Sequence, residues 1–351
     1  MDLRYLNAIN LLAPARPDLL TKLAERFGED WEKAWHSSEL KSYLGPKAGS
    51  PKDINPDKEY KKLERADIWI TTINDSLYPP LLKQIFDPPW LLYYQGKLEA
   101  LTKPCLAVVG SRAATEYGKR ATLAITKDLA RAGFTIISGL ARGIDGHAHR
   151  ATIEARGVTV AVLGGELATN SIVQENQTTA KQILKTGGGI ISEYPLGIEA
   201  QQFTFPQRNR IVSGLSKGVI VVEATLKSGA LITARLAAEQ GRDVFAVPGP
   251  IFSNTSTGTN MLIQNGAKAV QTATDILTEY QTTYTLAKPV VQGNNPTEDK
   301  ILATIGTDTR SLDEIIRACQ LPAPAVIAAL MNLELDDKVT NLGNNRFILK
   351  T

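Results

Sequence analysis

Between residues 106 and 270, short apolar runs rich in β-branched residues alternate with segments of helical periodicity. Seven such runs begin 23 to 31 residues apart, near Leu106, Thr135, Val158, Gly189, Val219, Val244 and Ala267. In the first intervening segment, Ala121, Ile125 and Leu129 recur every four residues and therefore share one helix face. Apolar strands that alternate with helices are typical of βαβ units and of a parallel sheet buried on both faces. The pattern predicts an α/β fold with a Rossmann-like parallel-sheet core.

The segments on either side of this core have a different pattern. The N-terminal part predicts three short helices, of which the last runs through DWEKAWHSSELKSYLG to Gly45, followed by a Gly/Pro-rich linker over 45–57. DIWITTI predicts a strand. Near the C-terminus, three helical segments and a hairpin turning at Gly343-Asn344 predict a winged helix. We therefore predict a small helical domain over 1–50, a Rossmann-like domain over 65–280, a linker over 281–296 and a winged-helix domain over 297–351.

The composition is that of a globular protein, with 43% hydrophobic and 21% charged residues. No apolar run approaches the roughly 18 residues of a membrane span, and the first residues lack the features of a secretory signal. Cys105 and Cys319 are far apart, which favours a reducing compartment. His147 and His149 lack a third ligand nearby, so we favour hydrogen-bonding roles for them. We expect a cytoplasmic protein with no metal, no other cofactor and no membrane partner.

The net charge of +3 is unevenly distributed along the chain. Residues 1–103 contain 15 basic and 15 acidic residues, residues 104–280 contain 17 and 13, and residues 296–351 contain 6 and 8. The positive excess in the predicted sheet domain indicates an anionic ligand there. The acidic balance of the predicted winged helix argues against tight duplex binding, and we favour a protein-contact or regulatory role for it.

Three strand-to-helix junctions combine glycines with groups that can bind phosphate. The first reads VVGSRAATEYG, where backbone N–H groups, hydroxyls and a guanidinium together would form a phosphate cradle. A plain turn with a surface arginine is the alternative, and the string does not match the G-x-G-x-x-G of dinucleotide enzymes. Open α/β sheets bind ligands at the carboxyl ends of their strands, which is where these three junctions lie. The predicted phosphate-binding residues at the three junctions are Gly110, Ser111, Arg112, Thr115, Ser138, Gly139, Gly164 and Gly165.

Aromatic and cationic side chains stand together in the segment FTFPQRNRIVSGLSK. Aromatic rings that stack on bases, beside cations that neutralise phosphates, are typical of single-strand binding. The candidates in this segment are Phe203, Phe205, Arg208, Asn209, Arg210 and Lys217. As the alternative, we expect one phenylalanine to anchor the loop and one arginine to pair internally, such as Arg210 with Glu193 or Glu223. Ser228 and Gly229 offer a further helix start for an anion.

These motifs, in this order, resemble those of the DprA/Smf family, which is named for DNA processing. The matching strings over residues 70–280 include VVGSRAATxYG, SGLARGIDxxAH, AVLGG, ISEYPLG, FPQRNRIVSGLS and GRDVFAVPG. The resemblance implies binding and protection of single-stranded DNA and its transfer to the RecA recombinase during natural transformation, without catalysis. It places the binding pocket at Ser111, Arg112 and the FPQRNR segment.

The resemblance also implies a homodimer formed through about Thr257–Val270, with Asn260, Met261 and Ile263 at the interface. One departure from the family follows AVLG, where the family has Cys-Gly and then Tyr-Pro-x-x-Asn. This chain reads GGELATNSIVQENQ there, and Lys181 is the first lysine after it and our candidate for the cationic contact of that rim.

Two other functions fit the same fold. A nucleotide-binding sensor could signal through the winged helix, and phosphoribohydrolase-type enzymes use similar phosphate cradles. Those enzymes resemble one another in a P-G-G-x-G-T loop with a catalytic Glu downstream. This chain has no such string, and its nearest approach is VPGP at 247–250. We therefore predict a DNA-binding protein with no catalytic residues.

Overall fold

A computed structural model divides the chain into two compact units. The described residues of the larger unit end at 280, and those of the smaller unit begin at 293. Each unit has its own hydrophobic core. The structure describes residues 2–45, 48–168, 171–280, 293–306, 309–343 and 345–349.

A nine-stranded sheet runs through the larger unit. Its strands are β1 (Trp69–Thr72), β2 (Leu91–Gly96), β3 (Cys105–Val109), β4 (Thr135–Ser138), β5 (Thr159–Val162), β6 (Gly189–Ser192), β7 (Gly218–Val221), β8 (Asp243–Ala246) and β9 (Lys268–Ala269). Their spatial order is β1-β2-β6-β5-β4-β3-β7-β8-β9. Strands β3 to β9 pair in parallel, whereas β2 pairs antiparallel with β1 and β6. The predicted parallel sheet is confirmed, because every residue of β3 to β7 is buried and both faces are covered.

Helices connect these strands and precede them. They are α1 (Leu3–Leu12), α2 (Pro17–Phe27), α3 (Trp31–His36), α4 (Leu40–Leu44), α5 (Pro56–Arg65), α6 (Pro80–Lys83), α7 (Glu116–Arg131), α8 (Ile144–Glu154), α9 (Gln177–Lys185), α10 (Thr204–Gly214), α11 (Gly229–Glu239), α12 (Thr257–Gln264) and α13 (Ala273–Glu279). The prediction of one helix from residue 30 to Gly45 is wrong, because α3 and α4 are separate. Ser37 is extended, and its hydroxyl accepts a hydrogen bond from the Glu39 N–H at 3.1 Å in place of a helical bond. Helix α5 was not predicted, since Leu63 is its only buried residue.

The N-terminal helices and the sheet share one hydrophobic core. Trp31 meets Trp90 edge-on, with ring centroids 4.8 Å apart. The buried Tyr93 hydroxyl donates to Asn7 Oδ1 at 2.8 Å and accepts from Asn10 Nδ2 at 3.1 Å. The predicted helical domain therefore packs directly on the sheet. The boundary that we predicted between this domain and the Rossmann-like domain stays a prediction.

The smaller unit has the predicted winged-helix architecture. It contains α14 (Pro296–Ile305), α15 (Leu312–Cys319), α16 (Ala323–Leu335), β10 (Arg310–Ser311), β11 (Val339–Asn341) and β12 (Arg346–Leu349), with sheet order β10-β12-β11. Strand β10 was not predicted, because two residues are too few to show a period. Asn344 of the predicted turn and most of the predicted linker lie outside the described residues.

The third helix of the smaller unit, α16, has an apolar exposed row. Ile327, Met331 and Leu335 are exposed at four-residue spacing, and the helix contains no lysine or arginine. Within the described ranges, no single helix is long and apolar enough to cross a membrane. The bent pair α15 and α16 passes that test together, by length and composition only.

Candidate nucleic-acid interface

A cleft of about 800 Å³ opens at the carboxyl edge of the sheet, among the loops that follow β3, β4 and β7. The strand order reverses at β3, since the chain continues to β4, β5 and β6 on one side and to β7, β8 and β9 on the other. Loops diverge at such a switch point, and open α/β sheets bind ligands in the resulting crevice. The predicted site residues that line the cleft are Gly110, Ser111, Arg112, Phe205, Arg208, Asn209, Ser228 and Gly229.

Arg112 and Phe205 form a stacked pair in the cleft. The guanidinium carbon of Arg112 lies 4.8 Å from the centre of the Phe205 ring. Arg112 is exposed, and Phe205 is partly buried. The Ser111 hydroxyl accepts from the Ala113 N–H at 3.2 Å and donates to the Ala113 carbonyl at 3.1 Å, which tightens the loop that presents Arg112. Stacking on the ring leaves the guanidinium N–H groups available to a phosphate.

The start of α11 forms another wall of the cleft. Ser228 is the N-cap, and its hydroxyl accepts from the Ala230 N–H at 3.3 Å. The free N–H groups of a helix start favour an anion. Asn209 Nδ2 donates to the Gly229 carbonyl at 3.4 Å and so joins α10 to this wall. Lys227 also lines the cleft. It was not among the predicted residues, although it directly precedes Ser228.

Arg208 lines the cleft but is turned inward and buried. Its Nη1 donates to the carbonyl oxygen of Gly139 at 2.8 Å and to that of Val162. A Cβ on Gly139 would lie 2.2 Å from this nitrogen, so the absence of a side chain at Gly139 leaves the space that the guanidinium occupies. Burial lowers the pKa of Arg208. The charge of Asp145 opposes this decrease in pKa, and the charge of Arg112 adds to it. Burial likewise raises the pKa of Asp145, and Arg208 counteracts it. Arg208 therefore ties α10 to the carboxyl ends of β4 and β5.

Arg210 pairs internally, as the alternative interpretation expected for one arginine. Its Nη2 donates to both carboxylate oxygens of Glu193, at 2.7 and 2.9 Å, and its Nε donates to Asp87 Oδ2 at 3.3 Å. Burial would lower the pKa of Arg210, but the carboxylates of Glu193 and Asp87 together raise it. Arg210 is not among the residues that line the cleft.

Comparison with known proteins places this architecture in a family. Residues 69–281 match the family described as DNA recombination-mediator protein A, and residues 286–345 match the DprA winged helix domain. The chain belongs to the DprA/Smf family. It is 40% identical over 291 residues to Protein Smf of Escherichia coli (strain K12), which covers 78% of each chain. It is 46% identical over 208 residues to DNA processing protein DprA of Bacillus subtilis (strain 168), which covers 59% of this chain and 69% of that protein.

Two solved structures of the family are similar to this chain. The X-ray structure of DprA from Streptococcus pneumoniae has a TM-score of 0.66 and 34% identity, and the match covers 79% of this chain and 97% of that one. DprA from Helicobacter pylori has a TM-score of 0.54 and 30% identity, and the match covers 61% and 97% of the two chains. The Helicobacter pylori structure is described for its single-stranded DNA binding mode.

Thr115 caps a helix in this member of the DprA/Smf family. Its hydroxyl accepts from the Gly118 N–H at 3.1 Å and donates to Glu223 Oε1, while its N–H donates to Glu223 Oε2 at 3.0 Å. Thr255 donates to the same carboxylate at 3.2 Å. The donor hydrogen of the Thr115 hydroxyl is therefore engaged, and the structure does not bring this predicted phosphate ligand into the cleft.

Other predicted residues lie outside the cleft of this DprA/Smf protein. Ser138 is buried, with its hydroxyl donating to the Val108 carbonyl at 2.6 Å. Gly164 and Gly165 are buried, and the N–H of the next residue donates to the Ile198 carbonyl, so a second loop covers them.

The two predicted lysines also lie elsewhere. Lys181 lies on α9 beside a small cavity of about 70 Å³. Lys217 lies at the amino edge of the sheet, where its N–H donates to the carbonyl of Cys105, the first residue of β3. Its Nζ lies 5.7 Å from the centre of the Tyr280 ring. The structure therefore does not bring Lys181 or Lys217 together with Arg112.

Protonation of the buried His149 should destabilise the fold as the pH falls. Thr159 Oγ1 donates to the Ile136 carbonyl, so His149 Nδ1, 2.7 Å from that hydroxyl, must be the donor between them. Burial, followed by Arg150 and Arg208, lowers the pKa of His149 from 6.5 to about 3. At a pH between these two pKa values, His149 binds a proton in the unfolded chain but not in the folded chain. The free energy of unfolding should therefore fall by about 1.4 kcal/mol for each pH unit below 6.5.

Urea unfolding of the intact chain and a His149→Gln variant, at about one unit above and one unit below the unfolded pKa, measures this contribution. The variant should be less stable at the higher pH but lose less stability on acidification. An equal loss in both proteins would contradict the assignment to His149.

Proposed function

We propose that this chain binds single-stranded DNA in the cleft, protects it and loads the RecA recombinase onto it during natural transformation. Membership of the DprA/Smf family supports a DNA-processing role, and the Helicobacter pylori relative is described as binding single-stranded DNA. The contact with RecA rests on the family resemblance alone.

The observation that carries the proposal is the Arg112–Phe205 pair beside Lys227 and the start of α11. A base can stack on an aromatic ring whatever its identity, and cations at the same place neutralise the phosphates that connect the bases. Phe203, with 60% of its surface exposed, lies two residues before the cleft-lining Phe205 and is the second ring in this proposal. In this proposal Arg112 and Lys227 bind phosphates, while Arg208 and Arg210 hold the wall in place.

The proposal includes a homodimer formed through α12. Ile251 and Phe252, in the turn before this helix, are 79% and 96% exposed, which is unusual for large apolar side chains. Met261 and Ile263 on α12 are partly buried. Asn260 has a role within the chain, because its amide accepts from the Gly249 N–H and donates to the Gly249 carbonyl. Two clefts in a dimer would engage one strand with an avidity that neither has alone.

A free nucleotide is the second candidate ligand. The cleft volume of about 800 Å³ is within the range of small-molecule sites, and the cleft lies at the switch point of the sheet. Such a protein would bind a mononucleotide tightly and an oligonucleotide no better.

We propose a protein-contact role for the winged helix, since its third helix exposes Ile327, Met331 and Leu335 and contains no cation.

A fluorescence-anisotropy titration tests the binding step. Labelled oligo-dT and a matched duplex are titrated with the intact chain at two salt concentrations, with dTMP as competitor. We expect tighter binding to the single strand and a salt slope that steepens by about 0.7 for each phosphate contact. Binding to the duplex that equals binding to oligo-dT, or complete displacement by micromolar dTMP, would contradict the proposal. RecA filament formation on the bound strand, with and without the protein, tests the loading step.

A further inference from the structure

A second groove adjoins the cleft and has a more strongly basic lining. It is about 560 Å³ in volume and is lined by Arg112, Ala113, Ala114, Lys119, Arg142, Gly143, His147, Arg150 and Glu175. Arg112 and Ala113 line both the cleft and this groove. A strand that passes Arg112 on leaving the cleft therefore enters the groove without crossing another surface.

The two loops that present these cations are locked together. Gly143 has a φ of +72°, and a Cβ there would lie 2.3 Å from the Ser111 carbonyl oxygen. The Ile144 N–H donates to that same oxygen at 3.1 Å. Only glycine allows both the backbone conformation and this close approach. Arg142 directly precedes this contact, as Arg112 directly follows Ser111, so the contact fixes the relative positions of the backbone segments that present the two arginines.

The charges in the groove are incompletely balanced. Lys119 pairs with Glu116 at 2.6 Å, and Arg150 donates to the neutral Asn176 Oδ1 at 2.9 Å. Arg142 is exposed and has no ion pair or hydrogen bond among the described residues. Burial lowers the pKa of His147, and Arg150 and Lys119 lower it further, although Glu175 and Glu116 oppose them. The groove therefore has a surplus of positive charge, centred on an arginine with no partner in the described part of the chain.

We propose that this basic groove binds the sugar–phosphate backbone of the nucleotides that follow those held in the cleft, with Arg142 as its principal phosphate ligand. The proposal rests on the proposed single-strand binding and extends its footprint. Among the described residues, no phenylalanine, tyrosine or tryptophan lines the groove, so the proposal assigns phosphate contacts to it and leaves base stacking to the cleft.

The test compares strand lengths. Oligo-dT of about four and about twelve nucleotides is titrated with the intact chain, with Arg142→Ala and with Lys185→Ala. Lys185 is an exposed lysine at the end of α9, just before the amino end of β6, so its removal changes the net charge equally at the opposite edge of the sheet. We expect Arg142→Ala to weaken binding of the longer strand about three- to tenfold, with a salt slope lower by about 0.7, and to leave the shorter strand unaffected. Lys185→Ala should match the intact chain at both lengths.

The other outcomes separate the two proposals. If Arg142→Ala equals the intact chain at both lengths while the intact chain prefers single strands, the groove assignment is wrong and the cleft assignment stands. If Arg142→Ala weakens both lengths equally, Arg142 belongs to the cleft and the groove is not a separate site. If the intact chain shows no preference for single strands, the proposed function itself fails. If the intact chain binds dTMP and the Arg142→Ala variant binds it more weakly, the groove binds the phosphate of a free nucleotide instead of a DNA backbone.

Discussion

Replacing Arg208 by alanine should lower the free energy of unfolding by about 3–5 kcal/mol, because each of two buried carbonyls that loses its donor costs about 1–3 kcal/mol. Arg208 is buried, donates to the carbonyls of Gly139 and Val162, and interacts electrostatically with the buried carboxyl group of Asp145. The substitution removes the positive charge that opposes the burial-induced rise in the pKa of Asp145, and it leaves two buried carbonyls without a donor. Urea denaturation of the intact chain and the variant measures the difference.

Arg112→Ala is the matched control for Arg208→Ala, since it removes the same type of side chain from the same cleft but at an exposed position. Its unfolding free energy should change by less than about 0.5 kcal/mol. An Arg208→Ala variant that unfolds like the intact chain and yet loses DNA binding would show that Arg208 is a phosphate ligand, as its sequence context predicted.

Replacing Arg112 by alanine should weaken binding of oligo-dT about 10- to 100-fold, since a charge-assisted hydrogen bond contributes about 1.5–3 kcal/mol. Arg112 is exposed, and its guanidinium carbon lies 4.8 Å from the centre of the Phe205 ring. Its N–H groups can therefore donate to a phosphate. The salt slope should fall by about 0.7 for one lost phosphate contact. Anisotropy at two salt concentrations gives both quantities.

Arg235→Ala provides the control for Arg112→Ala. Arg235 is an exposed arginine on α11 that pairs with Glu239, so the variant removes an equal charge outside the lining of the cleft. It should bind oligo-dT nearly as tightly as the intact chain. Equal affinities of the Arg112→Ala variant and the intact chain would remove Arg112 from the site and direct attention to Lys227 and the start of α11.

The position of the site was predictable because it follows from strand order and chain direction. Buried β-branched runs alternating with helices predict a parallel sheet, and parallel strands all end at one edge. The structure accordingly brings together in the lining of the cleft Arg112, from the loop after β3, and Ser228, from the loop after β7. The same rule places Lys217, which precedes β7, at the opposite edge. It also places Lys227 beside Ser228 in the cleft. The sequence therefore contained a usable signal for the positions of both lysines.

The directions of neighbouring side chains on α10 had no such signal. Arg208, Asn209 and Arg210 are consecutive, and a helix turns by about 100° at each residue. One arginine therefore reaches the carbonyls of β4 and β5, the asparagine reaches α11, and the other arginine reaches a carboxylate next to β6. Which of them meets solvent depends on the elements packed around the helix. The string RNR alone does not contain that information.

The amino-acid sequence by itself determined the parallel sheet, the winged helix and the edge of the sheet at which the cleft opens, because these follow from local periodicity and from the direction of the chain. Only the tertiary structure decided which cations remain available. Arg208 and Arg210 donate hydrogen bonds to carbonyls and carboxylates that are distant in the sequence, and Thr115 donates to Glu223. Arg112 stays exposed and stacks on Phe205. The availability of a charged group depends on its burial and on its partners, and those partners are brought close only by folding.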